Sequence, residues 1–409
     1  MQHKHPKYLQ IKDYSYHLPE DRIAHYPMEE RDLSKLLVYN NGEISEDVYR
    51  NVSQYLSPGS LVIFNQTKVV QVRLLFQKDT GAGIEIFCLE PDKRYADMQT
   101  AMTQRGEVYW LCLVGGANKW KKDTVLKLYN ESLDIHIEAH LADRLDGMFL
   151  ICLKWKNEEI SFAEVLQAIG KVPLPPYMNR EMKEEDKERY QTIYAKEEGS
   201  VAAPTAGLHF TSHIFESFVE NNIHTSFLTL HVGAGTFKQV KTEKLEEHQM
   251  HAEWIEVSLE FIEQLLRQNG SVVAVGTTSI RTIESLYWIG LKLYLGMPVQ
   301  WGGNAVEQWD AYELDAKIDA KIALQQLAEW MHNRQMNKLI TRTQILIAPG
   351  YHPKIVNKLI TNFHQPDSTL LLLIAALVGE NWKSIYNYAL NNNFRFLSYG
   401  DGCLISIKP

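Results

Sequence analysis

With 409 residues, 45% of them hydrophobic and 22% charged, the chain has a globular composition and exceeds one typical core, so two domains are expected. A net charge of -8 argues against a non-specific nucleic-acid binder, so any nucleic-acid partner would have to be held by a local basic patch. The four cysteines, Cys88, Cys112, Cys152 and Cys403, are scattered without a CxxC, which argues against a zinc ribbon or disulfide framework and fits a reducing compartment.

The opening stretch, MQHKHPKYLQIKDY, lacks the apolar run of a signal peptide, so a cytoplasmic location is expected. Residues 1–58 read as mixed and are expected to pack with a later α/β domain. From Leu61 to Trp155 short strand-like runs recur: LVIF, VVQVRLLF, GIEIFCL, VYWLCLV, LDIHIEA and GMFLICLKW. In LDIHIEA, Leu133, Ile135 and Ile137 alternate with Asp134, His136 and Glu138, the period of a strand with one buried face. No helical pattern separates these runs, so 59–159 is expected to form an antiparallel β-barrel or sandwich.

VPLPPYMNR and the charge run EMKEEDKER follow, the run reading as a solvated helix or linker. Beyond it, strand, small-residue loop and helix alternate, the pattern of an α/β domain assembled from 1–58 and 160–409. SFLTLHV is a strand ended by Gly233-Ala-Gly235. Ser258 caps a helix, LEFIEQLLRQN, that stops at Gly270 before the strand VVAVG. A helix starts at Thr277 with Ile280, Ile283 and Tyr287 on one face, and QILIA leads into Pro349-Gly350. TLLLLIAALV, Thr369 to Val378, is about half the ~20 residues of a membrane span and reads as a buried helix or strand. Ligands of such a domain belong at the carboxyl ends of its strands.

Four loops there hold polar residues that packing alone does not require. SVAAPTAGLHFT sets Thr205 and a run of small residues before His209, either as a tight buried turn or to bring backbone and imidazole against a ligand. In LHVGAGTF, His231 precedes Gly233 and Gly235, glycines that either permit a positive-φ turn or let backbone approach a ligand. In GTTSIR, Gly276, Thr277 and Thr278 open a helix whose N–H groups and dipole suit a carboxylate or phosphate. N-capping explains those hydroxyls equally well, but not Arg281. TNFHQPDST supplies Asn362 and His364. HQMHAEW adds His251 and Glu253, which share a face if the segment is a strand. Metal ligands, packing or surface histidines, and a metal-free acid/base pair all stay open there, although the spacing is not that of a helical HExxH. FRFLSYGD places Arg395, Tyr399 and Asp401 on one face if extended. No nucleophile elbow, P-loop or full dinucleotide GxGxxG appears.

Taken together, SVAAPTAGLHFT, TLHVGAGTFKQV, HQMHAEW, VGTTSIRTIES, TNFHQPDSTLL and FRFLSYGD resemble one family, the S-adenosylmethionine:tRNA ribosyltransferase-isomerases of the queuosine pathway. LPEDRIAHYPMEERDLSKLL, LVIFNQTKVVQVRL and VPLPPYMNR are similar too, so the resemblance runs in order along almost the full chain. It implies a mixed α/β, barrel-like main domain with an inserted antiparallel β-barrel. It also implies a reaction: the ribosyl part of S-adenosylmethionine passes to 7-aminomethyl-7-deazaguanine at the tRNA wobble position and is isomerised, giving epoxyqueuosine, adenine and methionine. The cosubstrate is S-adenosylmethionine, and no metal is implied.

On that reading His209, His231, His251 and His364 form the pool containing base and acid, with Glu253 orienting a histidine or facing the sulfonium. Thr205, Gly233, Gly235, Gly276, Thr277, Thr278, Arg281 and Asn362 become candidates for holding the cosubstrate. The partner is the anticodon loop, whose unpaired wobble base can be splayed into a pocket at little cost. Arg22, Arg31, Lys68, Arg73, Lys121 and Lys122 are the candidate tRNA contacts. A monomer without membrane association is expected. Lys68, Gln71 and Gln365 stand where the family commonly has Arg, Pro and Leu, and residues 292–342 form a longer connection than usual. These departures leave room for a divergent paralogue that uses S-adenosylmethionine on a different nucleic-acid or small-molecule acceptor.

Overall fold

The computed structural model describes residues 5–78, 81–130, 134–145, 148–233, 242–299, 303–314 and 318–407. Leu133 and Gly235 lie outside the described residues. The strands are β1 (Lys35–Asn40), β2 (Glu43–Val48), β3 (Leu61–Asn65), β4 (Thr67–Val69), β5 (Arg73–Gln77), β6 (Gly83–Pro91), β7 (Glu107–Gly115), β8 (Leu126–Asn130) and β9 (Ile135–Leu145). They continue with β10 (Met148–Trp155), β11 (Glu197–Ser200), β12 (His224–His231), β13 (Glu253–Ser258), β14 (Val272–Val275), β15 (Asn304–Val306), β16 (Lys338–Thr343), β17 (Lys358–Asn362) and β18 (Gly402–Ser406).

Ten of them form the main sheet, in the order β15-β16-β13-β12-β3-β14-β17-β18-β1-β2. Its centre, β12-β3-β14-β17, is parallel, with antiparallel pairs β12-β13 and β17-β18 on either side. LVIF belongs here, as β3, and not with the barrel strands. All five β3 residues are buried, which suits a central parallel strand covered on both faces and explains a continuous apolar run instead of an alternation.

The second sheet, β5-β6-β7-β10-β9-β8, is antiparallel throughout, and β5 approaches β8 so that it nearly closes into a barrel. Ile135, Ile137 and Ala139 face inward as the alternation predicts. The helix Phe162–Ile169 contributes Phe162, Val165 and Leu166 to the same core. Its capping box between Ser161 and Glu164 adds about 1 kcal/mol. The outgoing and returning chains pair as the parallel ribbon β4-β11, so the fold is mixed α/β with an inserted antiparallel barrel.

The segment beyond Lys292 belongs to the main domain. Strands β15 and β16 extend one edge of the sheet, and the helix Ala320–Asn333 lies against the helix Thr277–Tyr294. The contact is close at Gly290, where an added Cβ would lie 2.0 Å from the Ala323 carbonyl oxygen. That cover explains why Thr277–Tyr294 is buried from Thr278 to Lys292 on all sides, not along one face.

Three segments differ from expectation. EMKEEDKER does contain a helical turn, Asp186–Arg189, but Asp186 is buried: Arg180 grips both its oxygens at 2.7 Å and the Tyr399 hydroxyl donates at 3.1 Å. QILIA follows strand β16 without joining it. FRFLSYGD turns instead of extending, with Leu397 at φ 69°, so Arg395 and Asp401 meet across the turn at 2.8 and 3.1 Å while Tyr399 points to Asp186. TLLLLIAALV is the buried helix Thr369–Val378, capped by Ser368. Among the described residues no helix is long and apolar enough to cross a membrane.

Candidate active site

A cavity opens at the carboxyl ends of β12, β14 and β17. Its walls come from the loop Ala202–Ala206, Val232, the start of the helix Thr277–Tyr294, the segment Thr361–Gln365, and Leu397-Ser398, together with Tyr177 and Tyr190. The enclosed space is about 100 Å³. This is below the roughly 300 Å³ of the smallest ligand clefts, so only part of a ligand of that size would be enclosed.

Gly276 holds φ 87° directly before the helix, a conformation that favours glycine, and its N–H donates to the Ile360 carbonyl at 2.8 Å. No side chain caps the helix N-terminus, so the first-turn amides of Thr277 and Thr278 face the cavity under the helix dipole. The turn is anchored by Asn65, fully buried at the end of β3. Its amide bonds the Leu230 backbone in both directions at 3.0 Å and donates to Thr278 Oγ1 at 3.2 Å.

His364 lines the cavity. Nε2 lies 3.0 Å from Thr361 Oγ1, while Nδ1 has no protein partner among the described residues. Its backbone is fixed by bonds to the Tyr386 and Tyr16 hydroxyls. Burial pushes the imidazole down to about 3. It is therefore neutral across the physiological range.

His209 stands one layer back. Its ring stacks on Tyr49, centroids 4.2 Å apart. Nδ1 faces the Arg31 carbonyl oxygen at 3.4 Å, an atom that only accepts, so the proton sits on Nδ1. Nε2 then accepts from Asn362 Nδ2 at 3.3 Å, which turns Asn362 Oδ1 toward Thr205, whose hydroxyl donates at 2.9 Å. Desolvation lowers His209 to about 4, only partly offset by Asp401. Thr205 and Asn362 line the cavity and His209 does not.

The remaining candidates fall elsewhere. His231 is buried against the β4-β11 ribbon, with Thr67 Oγ1 3.1 Å from Nδ1 and Glu256 Oε1 3.3 Å from Nε2. Burial opposes ionisation of Glu256, but hydrogen bonds from His231 and Lys338 outweigh it and hold the carboxyl at about 2. Glu253 forms a buried ion pair with Arg281, whose Nε also donates to the Ile345 carbonyl at 3.2 Å. His251 is exposed, ahead of the strand in which Glu253 lies. Gly233 follows β12 outside the cavity lining. Among the described residues no three His, Cys, Asp or Glu side chains are grouped to hold a metal.

Of the candidate tRNA contacts, Arg31 donates to the backbone carbonyls of Gln191 and Glu188 at 2.6 and 2.8 Å. Lys68 pairs with Glu198 across the ribbon at 2.8 Å, and Arg73 pairs with Glu85. Arg22 is half-buried, while Lys121 and Lys122 are exposed on the barrel. Sequence reasoning did not single out Asn65, Tyr177, Tyr190, Thr361 or Ser398. Asn65, Tyr177, Thr361 and Ser398 lie inside motifs already noted, but only the fold brings them to the site.

A family profile described as Queuosine biosynthesis protein matches residues 11–405. The chain belongs to this family. The resemblance drawn from the motifs is borne out, and the chain is a queuosine biosynthesis protein by family. A crystal structure of S-adenosylmethionine tRNA ribosyltransferase from Thermotoga maritima is 26% identical over 96% of this chain and 99% of that chain, with a TM-score of 0.45. Among the residues lining the cavity is Gln365, one of the three departures from the usual family pattern.

Proposed function

We propose that the protein transfers the ribosyl part of S-adenosylmethionine to 7-aminomethyl-7-deazaguanine at the tRNA wobble position and isomerises it, giving epoxyqueuosine, adenine and methionine. The observation that carries this reading is one cavity that presents both an uncapped helix N-terminus and a neutral histidine with a free ring nitrogen. The chemistry needs a base for the acidic carbon beside the sulfonium, an acid for departing adenine and donors for the methionine carboxylate.

The amides of Thr277 and Thr278, at the positive end of the helix dipole, hold the carboxylate. Thr205 and Asn362 supply further polar contacts. His364 moves the proton: in the tautomer whose Nε2–H donates to Thr361 Oγ1, Nδ1 carries the lone pair. His209 positions Asn362 instead of touching substrate. Arg281 and Glu253, bound to each other, brace the helix behind its first turn, and His231 braces the ribbon to the main sheet. The main sheet and its helices act as the catalytic domain, and the barrel built on strands β5 to β10 supports tRNA binding through Lys121 and Lys122. The cytoplasm, where tRNA is modified, is the site of action.

The test mixes protein, S-adenosylmethionine and an anticodon stem-loop carrying 7-aminomethyl-7-deazaguanine, and follows adenine release and RNA mass. Adenine with a matching mass gain is expected, undiminished by a chelator and lost in His364→Ala. Neither product from the wild type would overturn the proposal. Gln365 in the cavity favours one second reading, a different acceptor for the same cosubstrate, and adenine release with only that acceptor would establish it.

A further inference from the structure

We infer that Arg31 and Arg189 together seat a backbone phosphate of the RNA substrate, in a depression that adjoins the cavity. The inference deepens the proposed function and rests on its RNA acceptor. Pro27, Met28, Arg31, Arg189, His209 and Ser398 are among the residues lining the depression, and Ser398 also lines the cavity. The two arginines are fixed reciprocally. Arg31 donates to the carbonyls of Glu188 and Gln191, on either side of Arg189, at 2.8 and 2.6 Å. Arg189 donates to the carbonyl of Met28 and, at 3.1 Å, to that of Glu29, shortly before Arg31 in the chain.

All of these acceptors are neutral. Among the described residues neither guanidinium makes an ion pair, whereas Glu30 and Asp32 are held by Arg50, and Asp186 by Arg180. Burial and then the charge of Arg189 push the Arg31 pKa down, and Tyr399 and the exposed Glu188 offset only part of that. Two like charges held side by side without a counter-ion are unfavourable, and an anion bound by both removes the repulsion. Nε of each arginine has no protein partner among the described residues and is not occluded, so each fork keeps a donor to offer. Guanidinium forks match phosphate oxygens in pairs, which a lysine cannot do. The depression encloses about 10 Å³, room for one water-sized group such as a phosphate oxygen but not for a base. That fits a phosphate carried on a strand running over the surface, with the adjacent base splayed into the cavity.

The test measures Kd for the anticodon stem-loop over a range of salt concentrations, with the wild type, Arg189→Met and Arg189→Lys. Arg189→Met should raise Kd about tenfold, the worth of one charged hydrogen bond, and lower the slope of log Kd against log salt by about 1. It should do so equally for the stem-loop carrying 7-aminomethyl-7-deazaguanine and for the same stem-loop with guanine, because a phosphate contact reads no base. Arg189→Lys keeps the charge and loses the fork, so the slope should hold while Kd rises less. S-adenosylhomocysteine should bind all three proteins alike, and inorganic phosphate should show no saturable binding. Melting temperatures accompany each titration, since a mere brace between the two loops would lower the melting temperature and leave the salt slope unchanged. An unchanged slope in Arg189→Met would overturn the seat. So would a loss of S-adenosylhomocysteine affinity in its place, or saturable phosphate binding that Arg189→Met removes without affecting RNA. Should Arg189→Met fail to fold, Arg189→Lys decides: a lowered slope or an unaltered Kd in that variant would overturn the seat. Wild-type protein that binds the stem-loop but releases no adenine would overturn the proposed reaction and leave the seat standing. Wild-type protein that does not bind it would overturn both.

Discussion

Replacing His209 by Phe separates a positioning role from a proton-carrying one. Phe keeps the ring over Tyr49, so little volume is lost, but both ring nitrogens go. The Arg31 carbonyl loses a long contact of 3.4 Å. The larger effect falls on Asn362, whose buried Nδ2–H loses the acceptor that fixes the amide orientation. A buried N–H left unpaired costs about 1–3 kcal/mol, so the variant should be destabilised by about 2 kcal/mol. With Asn362 free to turn, one contact to the ligand weakens, and KM for S-adenosylmethionine should rise about tenfold. The shape of the pH–rate profile should stay as it is, because no proton carrier has been removed. A general acid or base would behave differently, with kcat falling ~10²–10⁴-fold and one limb of the profile lost. In a double-mutant cycle, His209→Phe should add little once Asn362 is Ala, giving a coupling of about 1–2 kcal/mol. Additive effects, or a lost limb, would refute the positioning role.

Two further outcomes concern stability. Glu284, fully buried, accepts from the Tyr351 hydroxyl at 2.6 Å and from the backbone N–H groups of Lys354, Ile355 and Val356 at 2.7, 3.0 and 3.0 Å. Glu284→Ala leaves three amides unpaired and should cost about 3–5 kcal/mol, read as a large fall in melting temperature, and an unchanged one would contradict this account. His209 and His364 are neutral in the fold down to about 4 and about 3, whereas in the unfolded chain they protonate near 6.5. Stability should therefore be full above pH ~6.5 and fall as pH drops through that window, by up to ~3 kcal/mol from His209 alone. Glu256, ionised in the fold down to about 2, adds a further loss at lower pH. Melting temperatures at pH 7, 6 and 5 test the sign; a flat profile would refute it.

Several local features were legible in the chain because their causes are local. The alternation in IHIEA is a strand period, and burial follows it residue by residue. Ser258 announces a helix start by the bond its hydroxyl makes three residues on. Gly276 before Thr277 marks a helix entry, and the structure starts the helix there. Family membership was legible because six motifs occur in order.

What the sequence could not decide depends on long-range neighbours. LVIF looks the same as a barrel strand and as a central parallel strand; only its pairing with β12 and β14 settles which it is. Four histidines in similar small-residue loops were equivalent candidates, yet the fold gives each a different surrounding. His364 faces the cavity, His209 is spent on Asn362 and Arg31, His231 on Thr67 and Glu256, and His251 lies outside. Tyr190 follows an ordinary charged stretch yet lines the cavity, and Asp186, four residues before it, is buried against Arg180 and Tyr399. Residue type and spacing set the local geometry. Which nitrogen or hydroxyl is left without a partner depends on contacts between segments far apart in the chain, and only the tertiary structure decides that.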